Sequence, residues 1–334
     1  MIASTVFSAL ALMIPQPHTV WSGGQVQAFA LDGSRMAWIS GSCRTVRVRK
    51  VAGGTATVLG DAKLTECDDR GTPLIALAGT RALWTEQTFG NFTYTHVLTN
   101  AADDHKPAKR LDYLVHQNDL DGDWVTGLAG DGGTLVYVDL VVAGRTLPDD
   151  TDVYFADRGS VRRVLHRSVH IVRQSDPPFR IAASGARIAV VYADRDQHQA
   201  AILRPSYTVR VLGLSGDTIS TITTGRRPRA VALAPPYVVL LDGSQVDLYR
   251  YNTATGTLVR SSDPVFAGPA LDAAGLTVVG RSGRRIWTYD IASGGSRQIA
   301  TAASTPIGLS IEGHTVAWAE NVREGGRIRT VTVG

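Results

Sequence analysis

The chain has 334 residues, 44% hydrophobic and 19% charged, a balance that excludes a disordered or fibrous chain. Its formal net charge is +4, carried almost entirely by arginine. On a surface of this size such a charge bears on solubility and steering. With no basic tail, zinc spacing or aromatic RNA-binding signature, no nucleic-acid partner is expected. The 34 glycines and frequent Val and Thr favour strands and turns over helices.

The chain opens with an apolar, uncharged stretch from Met1 to Ile14 that contains Ala9-Leu10-Ala11, a small-x-small pattern. This matches the apolar region and cleavage site of a secretory signal, although the positively charged start is missing and the first Arg is Arg35. Residues 1–17 are therefore expected to be a signal or N-terminal apolar segment, and residues 18–334 the folded domain. The expected location is outside the cytoplasm, periplasmic or extracellular. A buried N-terminal strand or a short membrane anchor is the alternative. The stretch is too short for a stable membrane span, and no later stretch qualifies.

From Ala30 onward one unit recurs: small and apolar residues, a Gly-centred turn, then a short apolar strand that often carries Trp or Tyr. It runs through Gly33 to Trp38, Gly79 to Trp84, Gly132 to Tyr137, Gly185 to Val190, Gly275 to Val279 and Gly313 to Trp318, with a Pro235-Pro236 pair in place of the glycine in the fifth copy. Gly33 and Gly313 are 280 residues apart over six intervals, roughly 47 per repeat, the period of a propeller blade of four strands. Outer hairpins follow, clearest at Asp247–Val259 and Ile286–Ile299. The last repeat has only three strands, about Ile307–Glu312, Thr315–Glu320 and Arg327–Val333. Thr19-Val20-Trp21 is expected to supply its fourth strand. The fold class is thus all-β: a single seven-bladed β-propeller of four-stranded antiparallel blades, closed by an N-terminal strand joining the C-terminal blade.

The Gly-x-x-hydrophobic-x-Trp hairpins resemble the repeats of TolB-like and WD40-like bacterial propellers. The Trp-Asp dipeptide of eukaryotic WD40 blades is absent, so no functional residue is carried over. The resemblance implies a propeller that binds a protein or an envelope component.

With strands a to d alternating in direction, the b–c loops and the d-to-a connections share one face, and the a–b and c–d loops share the other. Cys43 and Cys67 both fall on the first face. A disulfide between them would close about 25 residues, worth roughly 3.5 kcal/mol in the chain-entropy model, and an exported chain would form it; two unrelated thiols are the alternative. The same face carries insertions: Gln87–Thr95 with Phe89, Phe92 and Tyr94; Tyr113–Asp123 with Asp119, Asp121 and Asp123; and the blade-three segment with Asp149, Asp150 and Asp152. Asp194, Asp196 and His198 belong to a further loop in blade four. Arg226, Arg227 and Arg229 lie on this face too, as do Arg281, Arg284 and Arg285, so one half reads as acidic and the other as basic. The Asp119-x-Asp121-Gly122-Asp123 run partly resembles a calcium loop. The bidentate Glu expected at its twelfth position is Gly130 instead, which favours a solvated turn, and no metal site is expected.

No nucleophile elbow, zinc helix, phosphate loop or dinucleotide fingerprint occurs, no cofactor is expected and no catalytic residue is assigned. His166 and His170 read as surface or packing residues. Asp32, Asp131, Asp272 and Glu312 recur near the a–b turns and read as turn residues. The sequence favours a non-enzymatic, monomeric, exported propeller that binds a protein or cell-envelope component through the insertion-bearing face. Two alternatives stand: a propeller glycoside hydrolase or lyase using carboxylates of the central funnel, and an intracellular interaction scaffold.

Overall fold

Small residues before a glycine turn and an apolar run after it produce the same local object throughout the chain, a tight hairpin at the centre of a sheet. In the computed structural model, residues 15–41, 45–61, 73–89, 92–104, 106–117, 121–142, 149–157, 159–169, 180–192, 207–243, 245–252, 254–262 and 266–334 are described. They form seven blades of four antiparallel strands. The chain enters with β1 (His18–Gly23). Blade one is β2 (Val26–Asp32), β3 (Arg35–Ser40), β4 (Thr45–Lys50) and β5 (Gly53–Asp61). Blade two is β6 (Ile75–Ala78), β7 (Arg81–Phe89), β8 (Thr93–Ala101) and β9 (Lys109–Gln117). Blade three is β10 (Asp121–Asp131), β11 (Thr134–Val142), β12 (Asp149–Ala156) and β13 (Val161–Val169). Blade four is β14 (Arg180–Ser184), β15 (Arg187–Tyr192), β16 (Tyr207–Gly213) and β17 (Thr218–Thr224). Blade five is β18 (Ala230–Ala234), β19 (Tyr237–Asp242), β20 (Gln245–Arg250) and β21 (Thr257–Ser262). Blade six is β22 (Leu271–Ala274), β23 (Thr277–Ser282), β24 (Arg285–Asp290) and β25 (Ser296–Thr301). Blade seven is β26 (Gly308–Glu312), β27 (Thr315–Val322), β28 (Gly325–Thr332) and β1.

The first strands of the blades touch in a closed ring, β2, β6, β10, β14, β18, β22, β26 and back to β2. The turn glycines that follow them have φ between 54 and 60° in six blades, a region in which a side chain is strained. In blade five the Pro235-Pro236 bond, which is cis, takes the place of that turn.

The residue five positions after each turn glycine packs against the preceding blade. Trp38 meets blade seven, Trp84 blade one, Tyr137 blade two, Val190 blade three and Trp318 blade six. In blade six that position is Gly280, and the fully buried ring of Phe266 fills the space a Cβ would occupy. The core is therefore seven separate apolar layers, one between each pair of neighbouring blades. No blade can bury both of its faces alone, which makes closure of the ring a condition of stability.

Closure takes the expected form. β1 pairs antiparallel with β28, from His18 opposite Thr330 to Gly23 opposite Gly326. The Asn321 side chain clasps the entry to blade one: its Oδ1 accepts from the Val26 amide at 2.8 Å and its Nδ2 donates to the Val26 carbonyl at 3.0 Å. Glu320, fully buried, accepts from Arg327 Nε at 2.5 Å and from the Ala303 amide at 2.7 Å, so both carboxylate oxygens are satisfied. Among the described residues no helix is long and apolar enough to cross a membrane.

The described parts of the insertions of blades two and three differ from the expected loops. They extend strands. Gln87, Thr88 and Phe89 pair with Thr95, Tyr94 and Thr93. Tyr113 to Gln117 continues β9, and the expected solvated turn at Asp121–Asp123 is already strand, with Asp123 opposite Val141. Asp149, Asp150 and Asp152 lie in β12 rather than in a loop. β9 and β10 also pair, His116 with Gly122 and Gln117 with Asp121, so that blades two and three share one eight-stranded sheet. The physical reason is that these polar residues alternate with Val, Tyr and Thr, and strand pairing tolerates charge where the charged face meets a polar seam.

Candidate functional site

Two places gather ionisable groups. The first is the seam between blades two and three on the insertion-bearing face. Asp139 on β11 lies directly opposite Asp152 on β12, which in turn lies opposite His166 on β13. Asp123 on β10 is on the same side of blade three, one alternate position from Asp139 along the register. Asp112 on β9 faces them from blade two and accepts a 2.6 Å hydrogen bond from the Tyr137 hydroxyl. Tyr137 stacks on Tyr154 with centroids 5.0 Å apart and planes 17° from parallel. The Tyr154 hydroxyl donates to Asp152 at 3.2 Å.

Charge compensation in this seam is uneven. Asp152 has His166 Nδ1 at 2.7 Å and Arg163 at 3.4 Å. Asp139 is 6% exposed, and its Oδ1 has no hydrogen-bond partner among the described residues. Burial, with the charges of Asp123, Asp112 and Asp152 added, pushes the Asp139 carboxyl up to about 8. Burial and its acidic neighbours raise Asp123 as well. Burial, Asp152 and Asp139 raise Tyr154 to about 12, and Tyr137 is raised by burial and its bond to Asp112.

On the opposite side of β9, the same tall strands carry an aromatic patch. Tyr94 stacks on Tyr113 at 5.5 Å, Phe92 abuts Tyr94 at 6.4 Å, and the Arg110 guanidinium lies over the Tyr113 ring at 5.4 Å. Phe92 is 37% and Tyr113 46% exposed, an unusual amount of aromatic surface to leave in water. Beneath them Glu86 lies opposite His96. Burial raises Glu86 against the opposing effect of its Trp84 bond, while burial and Arg110 lower His96.

The basic half of this face is partly neutralised. Arg226 sits 3.8 Å from Asp242 beside a cavity of about 310 Å³ between blades four and five. Arg180 donates to the Arg229 carbonyl, and burial with the nearby charge of Arg227 lowers its pKa. Arg284 donates to the Ala303 carbonyl and Arg285 is exposed at the start of β24.

The second place is the axial channel, a cavity of about 410 Å³ lined by the first strands. At its a–b mouth, oxygens of Asp32, Asp131 and Glu312 lie within 4.8 Å of one another. These carboxylates hold the ring together. Asp32 accepts from the Gly79 amide and, at 3.0 Å, from the Gly132 amide; Asp131 accepts from Gly185 and Glu312 from Gly33. Asp272 accepts from Ser310 and Ile311 in the next blade and from its neighbour Ala273 at 2.9 Å; burial raises it to about 6. The expected local turn chemistry is thus corrected. Only Asp272 bonds its own segment, and the others span to the turns of following blades.

Of the residues singled out in the sequence, the structure brings Asp123 and Asp152 into one seam and Phe92 and Tyr94 into one patch. Phe89 ends β7, Asp121 opens β10 and Asp149 opens β12. Asp150 accepts from Ser168 at 2.9 Å, at the rim. Asp119, Cys43, Cys67, His170, Asp194, Asp196 and His198 lie outside the described residues. Sequence reasoning missed Asp112, Asp139, Tyr137 and Tyr154; His166, read as a surface or packing residue, is half-exposed and also bonds Asp152. The readable signal was the alternation Tyr137-x-Asp139 on one strand against Asp152-x-Tyr154 on the next.

The fold defines the class: a seven-bladed β-propeller. No family model matches the chain, and no curated protein matches it. Solved structures do. The chain is similar to one in a crystal structure of the Mitotic Checkpoint Complex (TM-score 0.58, 12% identity, covering 100% of this chain and 96% of that one). It is also similar to the WD40 β-propeller domain of Doa1 (0.54, 12%, 93% and 94%). A third is the PQQ-bound aldose sugar dehydrogenase of Streptomyces coelicolor (0.50, 11%, 95% and 97%). At such identities the likeness is one of fold.

Proposed function

We propose that this chain is a non-enzymatic, exported propeller that holds a protein or cell-envelope partner on the face bearing the b–c and interblade connections. The observation that carries this reading is the pair of heightened blades two and three, which carry exposed Phe92 and Tyr113 on one side of β9 and a carboxylate seam on the other. Aromatic anchors with a charged surround are the composition of a protein-binding surface. The architecture itself does not choose, since it occurs in an assembly, the Mitotic Checkpoint Complex, and in an enzyme, aldose sugar dehydrogenase. What weighs against the hydrolase or lyase alternative is that the funnel carboxylates Asp32, Asp131 and Glu312 are engaged with turn amides. Export is supported by the apolar stretch Met1–Ile14, and a Cys43–Cys67 disulfide would be its consequence; kinship with TolB-like propellers is supported by the repeat pattern.

A photo-cross-linking amino acid at Phe92 or Tyr113 tests the reading in native cells, with Leu276, 45% exposed beside the a–b turn of blade six, as the control on the other face. A discrete adduct from the first two positions and none from Leu276 is expected. No adduct, or equal adducts from both faces, would refute it.

A further inference from the structure

We infer that the seam between blades two and three is a guanidinium pocket, in which Asp139 at the base and Asp123 and Asp112 at the rim receive the side chain of an arginine from the partner. The inference deepens the proposed function and rests on it.

The argument begins with what the fold leaves unmatched. Four carboxylates converge, and the described cations that meet them, Arg163 and His166, both go to Asp152. Asp112 is held by Tyr137. Asp139 keeps a buried Oδ1 with no partner among the described residues. A buried acceptor in a native fold is normally paired, and one that is not calls for a group supplied from outside.

Burial differs along the seam. Asp112, Asp123 and Tyr154 are half-buried, and Asp139 and Tyr137 are buried. This suits a long apolar stem with a charged tip. The chemistry of the tip follows from the spacing. Among the described residues, the group whose ligand oxygens lie within 4.8 Å of one another is at the channel mouth, and these four carboxylates are not in it. A compact metal ion needs its oxygens at roughly 2.0–2.6 Å and would have to draw the strands together. A guanidinium carries five N–H donors in a planar fork, so it reaches separated carboxylates at once and lies flat against a tyrosine. Tyr154, the half-buried member of the Tyr137–Tyr154 stack, offers that ring. The raised carboxyl of Asp139, caused by burial and by the charges of Asp123, Asp112 and Asp152, agrees with a seam short of positive charge.

The probes are agmatine, a free alkylguanidine, and a capped Gly-Arg-Gly peptide, titrated into the full chain by calorimetry at pH 8. Both are expected to bind saturably, and Asp123→Asn and Asp139→Asn are each expected to weaken binding at least about tenfold. Asp242→Asn, in the pocket between blades four and five, is expected to leave binding unchanged. Asp123 is half-exposed, so its variant keeps the test decisive even if Asp139→Asn folds poorly. No saturable binding, or binding indifferent to Asp123→Asn, overturns the pocket. Agmatine binding without peptide binding overturns the partner side chain as its source and leaves a free amine. Binding of both probes with no cross-link from Phe92 upholds the pocket and removes the proposed partner face.

Discussion

Asp139 and Asp152 lie directly opposite each other on adjacent strands, yet among the described residues only one has its charge answered: Asp152 bonds His166 and Arg163, while Asp139 Oδ1 has no partner. Two facing carboxylates in a half-dry seam cannot both ionise at little cost. The fold therefore retains a proton on Asp139.

That proton has a consequence for stability. Asp139 titrates near 8 when folded and near the ordinary carboxylate value when unfolded. The unfolded chain gives up its proton first as pH rises, so stability falls between about pH 4 and pH 8 and then levels off. The groups facing Asp139 are Asp112, Asp123, Asp152, Tyr137 and Tyr154, with His166 and Arg163 beyond Asp152. Asp139→Asn removes the titration. Its melting temperature should match wild type at pH 4 and exceed it by a few degrees at pH 8. Parallel melting curves across that range would count against the account.

Ring closure predicts a second outcome. Truncation after Gly326 removes most of β28, and with it the pairing of β1 and the outer part of the layer containing Val331 and Val333. Calorimetry should show loss of the cooperative transition rather than a small shift, because every blade depends on its neighbours. An unchanged melting temperature would mean that the ring closes elsewhere.

The axial carboxylates predict a third. Asp32 is buried and accepts from the turn amides of two other blades, Gly79 and Gly132. Asp32→Asn places an amide donor against those N–H groups. Urea unfolding should show a loss of about 1–3 kcal/mol. A change within about 0.5 kcal/mol would assign the blade contacts to packing alone.

Much of the ring was legible in the sequence, because the glycine turns and the residues five positions later recur with one period, and the strand around Val20 had no other partner. The height of blades two and three was not legible. Asp149-Asp150-Thr151-Asp152 reads as a loop by composition, and only the neighbouring seam makes those charges compatible with a strand. Asp123 and Asp152 could be picked out as acidic residues on one face. Their convergence with Asp112 and Asp139 depends on how blade two leans on blade three, which spacing along the chain does not encode. The axial carboxylates were visible as a repeated position, but their acceptor role toward following blades needs the three-dimensional ring.

The decisive measurement is photo-cross-linking from Phe92 in the presence of increasing agmatine. If the partner delivers an arginine into the seam, agmatine displaces it, and adduct yield falls with a midpoint close to the agmatine dissociation constant. An adduct that forms from Phe92 at full yield in saturating agmatine would contradict the account, because the partner would then occupy the face without using the seam.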